Sequence, residues 1–147
     1  FAAPSQEPSA SQATLWTRSG AMEDVFLLDC ALSVHLPELW VRLGGLGFQL
    51  ANVFYGAFMR LFAGLLPPAS LFRLWDQLVA DSSNPRASPH ARRGLVDFAF
   101  AVLGAGQASL LRCQSALEVH DSILGLISTM DDPQTVTELT SEASSML

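Results

Sequence analysis

The sequence from Leu61 to Asp76 reads LFAGLLPPASLFRLWD, and it decides the expected fold because it joins two amphipathic helices through a pair of prolines. Apolar residues recur at three- and four-residue steps between Leu50 and Leu65, which predicts a helix with a wide apolar face. Pro67 and Pro68 break this helix, since proline cannot continue it. The same spacing then predicts a helix from Pro68 to Ala80. Its buried face is expected to carry Leu71, Leu74, Trp75 and Leu78.

The remaining sequence is also helical in its periodicity. A first helix from Gly20 has an apolar face, and its acidic residues Glu23 and Asp24 suit the positive end of a helix dipole in the first turn. That face is predicted to consist of Met22, Val25, Phe26, Leu28, Leu32 and Leu36. Pro37 fits the first position of a short helix that carries Leu39, Trp40 and Leu43 and ends at Gly44 and Gly45.

Further helices are predicted downstream of a polar loop over residues 81 to 89. They run from the Ser88 cap to Leu103, from Gln107 to about Val119, from Asp121 to Thr129, and onward from the Asp132-Pro133 start. No segment alternates cleanly between apolar and polar residues, so strands are not predicted. The fold class is therefore all-α, an array of about six to eight short helices with short connections.

Composition limits the classes of partner. The chain has 147 residues, half of them apolar, which suits a single domain with its own core. Fourteen acidic residues stand against eight basic ones, all Arg. Because binding to a phosphate backbone needs a concentrated cationic face, nucleic acid is not an expected partner.

The run from Leu43 to Met59 is uncharged and mostly apolar, but three glycines and two amides interrupt it before Arg60. A bilayer span needs about 20 predominantly apolar residues, so we interpret this run as a buried helix. Membrane association is expected only peripherally or through partners. A helical subunit of a membrane-associated assembly, with this run against lipid, remains an alternative.

No residues suggest a catalytic, cofactor or metal site. Cys30 and Cys113 are far apart, have no CxxC spacing, and are interpreted as two buried thiols. His35 is interpreted as a cation at a helix end, and His120 with Asp121 as a capping pair, rather than as members of a triad. The chain has no Lys, which excludes a nucleotide-binding P-loop. Arg86, Arg92 and Arg93 are expected to form a solvated patch.

The structural motif that we single out consists of Pro67, Arg73, Trp75 and Asp76. A Trp at helical spacing is usually a core anchor, and the neighbouring Asp can cap a helix or pair with an Arg such as Arg60 or Arg73.

Four segments in order resemble the C-terminal half of a TBC domain, the helical module of Rab-GTPase-activating proteins. They are Leu36 to Leu43, Phe54 to Phe62, Leu65 to the Arg-Leu-Trp-Asp at Asp76, and Arg92 to Leu103. The resemblance covers about residues 22 to 127 and is most specific between 54 and 78. The sequence departs from the family pattern at Phe58, because the family often has a Trp near this position.

The family's catalytic motifs are absent. Active members use an arginine finger in an Ile-x-x-Asp-x-x-Arg motif and a glutamine finger in a Tyr-x-Gln motif. Neither is found here: Val25 to Ala31 contains no Arg, and Phe48-Gln49 does not match the Tyr-x-Gln pattern. Since an arginine finger is worth about 10³ to 10⁵ in rate, activity cannot be assigned by similarity.

The resemblance therefore implies a non-catalytic TBC-like domain that acts as an interaction or structural subunit. An alternative is that the chain is the C-terminal part of an active Rab-GTPase-activating protein whose arginine and glutamine fingers lie upstream. Because the chain begins with Phe1, we expect it to be a processed product or a portion of a longer protein. Expected partners are other protein chains of a complex, with a Rab-type small GTPase as a candidate. We expect an intracellular location, in the cytoplasm or at an organelle. The predicted organisation is an extended arm over residues 1 to 19, the helical domain over 20 to 130, and a capped helix or tail over 131 to 147.

Overall fold

A computed structural model describes residues 18 to 83 and 93 to 147, and these residues fold into eight α-helices without a strand. The helices are α1 (Arg18–His35), α2 (Pro37–Gly45), α3 (Ala51–Met59), α4 (Pro68–Ser83), α5 (Arg93–Ala105), α6 (Gln107–Leu111), α7 (Ala116–Ser128) and α8 (Pro133–Met146). The all-α prediction is confirmed. The predicted arm lies outside the described residues except at residues 18 and 19, which already belong to α1, and most of the predicted 81 to 89 loop also lies outside them.

Helix α5 forms the centre of the fold. Ten successive residues from Gly94 to Leu103 are buried, so the helix is covered on every side. It packs against α1, α4, α6, α7 and α8. A helix that is buried around its whole circumference, here with Asp97 as its one buried charged residue, is typical of a core element.

Four phenylalanines connect α3 to this central helix. Phe54, Phe58 and Phe62 follow one another at ring-centroid distances of 5.8 Å, and Phe62 meets Phe98 of α5 edge to face at 5.1 Å. All four side chains are fully buried. Edge-to-face pairs place the positive ring edge against the negative ring face, which adds to the stabilisation from burial.

Helix α3 is shorter than predicted. It ends at Met59 rather than at Leu65, because Leu61 and Phe62 adopt left-handed backbone conformations with φ of 53° and 65°. The N–H of Phe62 donates to the carbonyl of Ala57 at 2.8 Å, a bond that closes the helix end. Pro67 and Pro68 therefore do not end α3, because the turn at Leu61 and Phe62 ends it before the chain reaches them.

The chain also breaks between α6 and α7 at a place that differs from the prediction. The hydroxyl of Ser115 accepts from the N–H of Glu118 at 3.2 Å, and Glu118 Oε2 accepts from the N–H of Gln114 at 2.8 Å. These bonds form a variant of the capping box in which Glu118 bonds the residue before the cap, and a new helix starts at Ala116. The predicted helix from Gln107 to Val119 is therefore wrong, and His120 with Asp121 lies inside α7 instead of capping it.

The starts of α2 and α8 follow the predicted proline signals. Pro37 and Pro133 each occupy the start of their helix, and the Asp132 carboxylate accepts from the N–H of Gln134 at 3.0 Å. In contrast, Glu23 and Asp24 do not lie in the first turn of α1, which begins at Arg18, and Asp24 is buried. Among the described residues, no helix is long and apolar enough to cross a membrane.

Candidate functional site

Among the residues of the predicted structural motif, Trp75 bonds the turn between α3 and α4. The indole N–H of Trp75 donates to the carbonyl of Leu61 at 2.8 Å, so it contacts the left-handed backbone that ends α3. Arg73 is exposed and donates from Nη1 to the Thr137 hydroxyl at 3.1 Å, which links α4 to α8. Asp76 is exposed and makes no ion pair with Arg60 or Arg73. Pro67 directly precedes α4.

The histidines and cysteines do not form a catalytic set in the described part of the chain. His35 is the last residue of α1, and its ring meets Phe100 edge to face at 5.9 Å. His120 Nδ1 lies 3.3 Å from Asp121 Oδ1 on an exposed surface. No group of His, Cys, Asp and Glu among the described residues has the arrangement of a metal site. His90 lies outside them.

The two thiols have different environments. Cys113 is buried, as predicted, with its sulfur 3.6 Å from the Ser109 carbonyl oxygen. Cys30 is exposed, so the prediction of a second buried thiol is wrong. Its position on α1 faces a cavity rather than the core. That cavity, of about 320 Å³, also contains His35, Arg93 and Asp97 on its wall.

Arg93, one residue of the predicted basic patch, is partly exposed and lies beside an acidic residue. Its Nε lies 3.8 Å from the carboxylate of Asp97, one turn further along α5. Arg86 and Arg92, its predicted companions, lie outside the described residues.

An apolar groove lies between α1 and α2, and we call it the α1–α2 groove. Its volume is about 620 Å³. It is lined by Met22, Val25, Phe26, Asp29, Leu32, Trp40, Val41, Leu43, Gly44, Phe48, Gln49, Leu50 and Ala51. Four of the large apolar side chains on its walls are strongly exposed: Met22 by 52 %, Phe26 by 66 %, Trp40 by 42 % and Val41 by 64 %.

The floor of the groove belongs to the core. Leu32 of α1, Leu43 of α2, and Phe48 and Leu50 of the following turn are all buried. The turn is fixed by the N–H of Phe48, which donates to the carbonyl of Leu43 at 3.0 Å, and by Gly47 at φ 75°, a conformation that glycine adopts without steric cost. The groove is thus built on packed elements rather than on a loop.

The two walls are joined by a polar contact. Trp40 Nε1 of α2 donates to Asp29 Oδ1 of α1 at 3.1 Å. The backbone also continues from one helix into the next, since the N–H of Trp40 donates to the carbonyl of Leu36 at 3.0 Å. The side-chain bond thus connects the two walls, and the backbone bond connects the end of α1 to the start of α2.

The groove is acidic at its edges. Asp29 is the only charged residue among the described residues that line it, and the exposed Glu23 and Glu38 lie one helical turn from Phe26 and Val41 respectively. Arg42 of α2 turns away, because its Nη2 donates to the carbonyl of Cys113 at 2.7 Å.

The sequence predicts some of the lining residues as parts of apolar helix faces, but it does not predict the groove. Met22 and Phe26 were expected on the buried face of the first helix, yet both are exposed. The sequence does contain a signal for this exposure. The apolar residues of α1 occupy a wider part of the helix surface than the stripe formed by Ala21, Leu28 and Leu32, which packs in the core. An amphipathic helix with one partner needs only that narrower stripe.

Comparison of the chain with family models, curated proteins and solved structures found no match. The resemblance to a TBC domain stays a prediction from the sequence.

Proposed function

We propose that this chain is a non-catalytic, TBC-like helical domain that serves as a protein-interaction or structural subunit of a larger assembly, and that the α1–α2 groove is its contact surface. The observation that carries the proposal is the set of four large apolar side chains exposed around one concave surface. A contiguous exposed apolar patch rimmed by polar residues is typical of an interaction site.

The energetics favour covering this groove. Burial of a large apolar side chain stabilises by roughly 1.5–3 kcal/mol, so covering the exposed halves of four such side chains contributes on the order of 1 kcal/mol each. The buried floor and the Trp40–Asp29 bond keep these side chains in place before a partner arrives. A preformed surface loses less conformational entropy on binding.

The test compares the proteins that associate with four forms of the chain, the wild type and three variants. Phe26→Asp and Val41→Asp each place a charge on a groove wall, while the control Leu117→Asp changes an equally exposed residue of α7. Each chain is produced in cells with a proximity-labelling tag, and labelled proteins are quantified by mass spectrometry. Circular dichroism confirms that each variant is folded.

We expect that the wild type and Leu117→Asp label a common set of proteins to the same extent. Both groove variants should fail to label that set. Identical labelling by all four chains would contradict the proposal, because the groove would then contribute nothing to association.

A further inference from the structure

The walls of the α1–α2 groove have the geometry of a helix-binding surface. Met22, Val25, Phe26 and Asp29 follow the i, i+3, i+4, i+7 spacing, so they form one continuous face over two turns of α1. Trp40 and Val41 form the facing wall on α2. Two helices with a buried floor between them leave a channel into which the apolar face of a third helix packs.

The charge on this surface limits the occupant. Asp29 lies inside the groove and Glu23 and Glu38 lie beside it, while the described lining contains no basic side chain. The Asp29 carboxylate accepts one hydrogen bond from Trp40, and a carboxylate has about four acceptor positions. A cationic side chain of a partner thus finds an acceptor within the groove.

The same charges disfavour two other occupants. A second copy of this chain, with a net charge of −6, would bring Glu23, Asp29 and Glu38 against their own counterparts. An anionic lipid surface would meet the same repulsion. A cationic partner is attracted by the charges that repel both alternatives.

We propose that the α1–α2 groove binds an amphipathic helix of a partner protein, which places apolar side chains on the groove floor and Arg or Lys side chains against Glu23, Asp29 and Glu38. This inference rests on the proposed function and specifies the partner class of that site. The exposed Phe26 and Val41 are the anchors that the partner helix covers.

The experiment presents the full 147-residue chain with a phage-displayed library of amphipathic helical peptides of about 15 residues, a length at which an isolated helix is marginal. The library carries equal numbers of acidic and basic residues at the positions that flank the apolar face. We expect selection to enrich peptides with apolar spacing of three and four residues and basic flanks. Enrichment of acidic flanks, or of peptides without that spacing, overturns the proposal.

The site is checked with a peptide recovered from the selection and with 5-fluorotryptophan in the chain. The ¹⁹F resonance of Trp40 should shift on binding, while that of Trp75, which bonds the Leu61 carbonyl outside the groove, should not. The converse pattern places the peptide elsewhere and overturns the assignment. A peptide in which every basic residue is replaced by Glu serves as the control ligand and should not bind.

The role of the rim is measured with a matched pair of charge variants. Glu23→Gln with Glu38→Gln should weaken peptide binding roughly threefold to tenfold at low salt, and the loss should shrink at high salt because exposed charges are screened. Asp131→Asn with Glu142→Gln removes the same charge from exposed positions outside the groove and should leave the affinity unchanged. Equal effects of the two pairs would show that only net charge matters, which contradicts the proposal.

The outcomes separate this inference from the proposed function. If the groove variants lose their protein partners but selected peptides are acidic or non-helical, the groove is a contact surface and the partner class is wrong. If sedimentation shows a dimer that Val41→Asp abolishes, the occupant is a second copy and the inference fails. If neither peptides nor cellular partners depend on the groove, both proposals fail.

Discussion

Trp75 stabilises the turn that shapes the centre of the chain. A left-handed conformation costs roughly 1–2 kcal/mol per non-glycine residue, and both Leu61 and Phe62 adopt it. The turn persists because Phe62 is buried in the core and because Trp75 Nε1 donates to the Leu61 carbonyl at 2.8 Å. Within the Arg-Leu-Trp-Asp motif, Trp75 is thus the residue that bonds this turn, while Arg73 bonds Thr137 of α8.

Trp75→Phe is therefore expected to lower the free energy of unfolding by about 1–2 kcal/mol, since it removes the donor and leaves a part-buried carbonyl unpaired. Trp40→Phe is the matched control: it removes the 3.1 Å bond to Asp29, but both groups are exposed and water replaces the lost partner. Urea unfolding followed by circular dichroism measures both. A loss for Trp75→Phe no larger than that for Trp40→Phe would show that this bond does not stabilise the turn.

At the scale of elements, helix boundaries could be predicted from the sequence where a local signal marks them. Pro37 and Asp132-Pro133 are local signals, and the structure starts helices at both. The Ser115-x-x-Glu118 pattern is an equally local signal for a helix start. Apolar residues continue at helical spacing on both sides of it, so the periodicity predicts one continuous helix there. The early end of α3 had no local signal, because the Trp75 side chain that holds the turn comes from the next helix.

The candidate groove could be predicted only in part, for a related reason. The apolar periodicity identifies Phe26 and Trp40 as parts of apolar helix faces. It does not indicate which part of a wide apolar face is buried by the other helices of the same chain. That depends on where α2 and α3 pack against α1, which is a tertiary outcome.

The junction between α5 and α6 depends on a close contact with α7. Gly106 is buried there, and an added Cβ would overlap Leu126 Cδ1. Gly106→Ala is expected to lower the free energy of unfolding by about 1–3 kcal/mol, the usual cost of overpacking. Gly125→Ala is the control, because its site inside α7 is open and alanine is the better helix former, so it should raise stability by about 0.5–1 kcal/mol.

Thermal unfolding of the two glycine variants against the wild type gives the comparison. Opposite signs of the change in unfolding free energy are the expected result. A stabilising Gly106→Ala would mean that Leu126 moves aside without cost, and that the two helices meet more loosely than the structure indicates.

At the scale of the whole molecule, three arginines of the described residues bear on whether the chain can act on a bound GTPase. Arg42 donates to the Cys113 carbonyl at 2.7 Å, Arg73 to the Thr137 hydroxyl at 3.1 Å, and Arg93 lies beside Asp97. Arg42 reaches from α2 to the segment between α6 and α7, Arg73 joins α4 to α8, and Arg93 joins two turns of α5. Each of these three arginines would give up a structural contact if it reached outward. These positions are those of connecting residues rather than of a finger poised over a nucleotide.

The 147-residue chain is therefore expected to leave the rate of GTP hydrolysis by Rab-type GTPases unchanged, since an arginine finger is what supplies about 10³ to 10⁵ in rate. Phosphate release from a panel of GTP-loaded Rab proteins, with and without the chain in excess, measures this. The control is a TBC protein that carries both finger motifs, tested on the same panel. If the chain raises the rate of GTP hydrolysis above the intrinsic rate, and Arg42→Gln or Arg73→Gln abolishes that increase, the non-catalytic proposal is contradicted. If the rate is unchanged and association depends on the groove, interaction is the function that the fold supports.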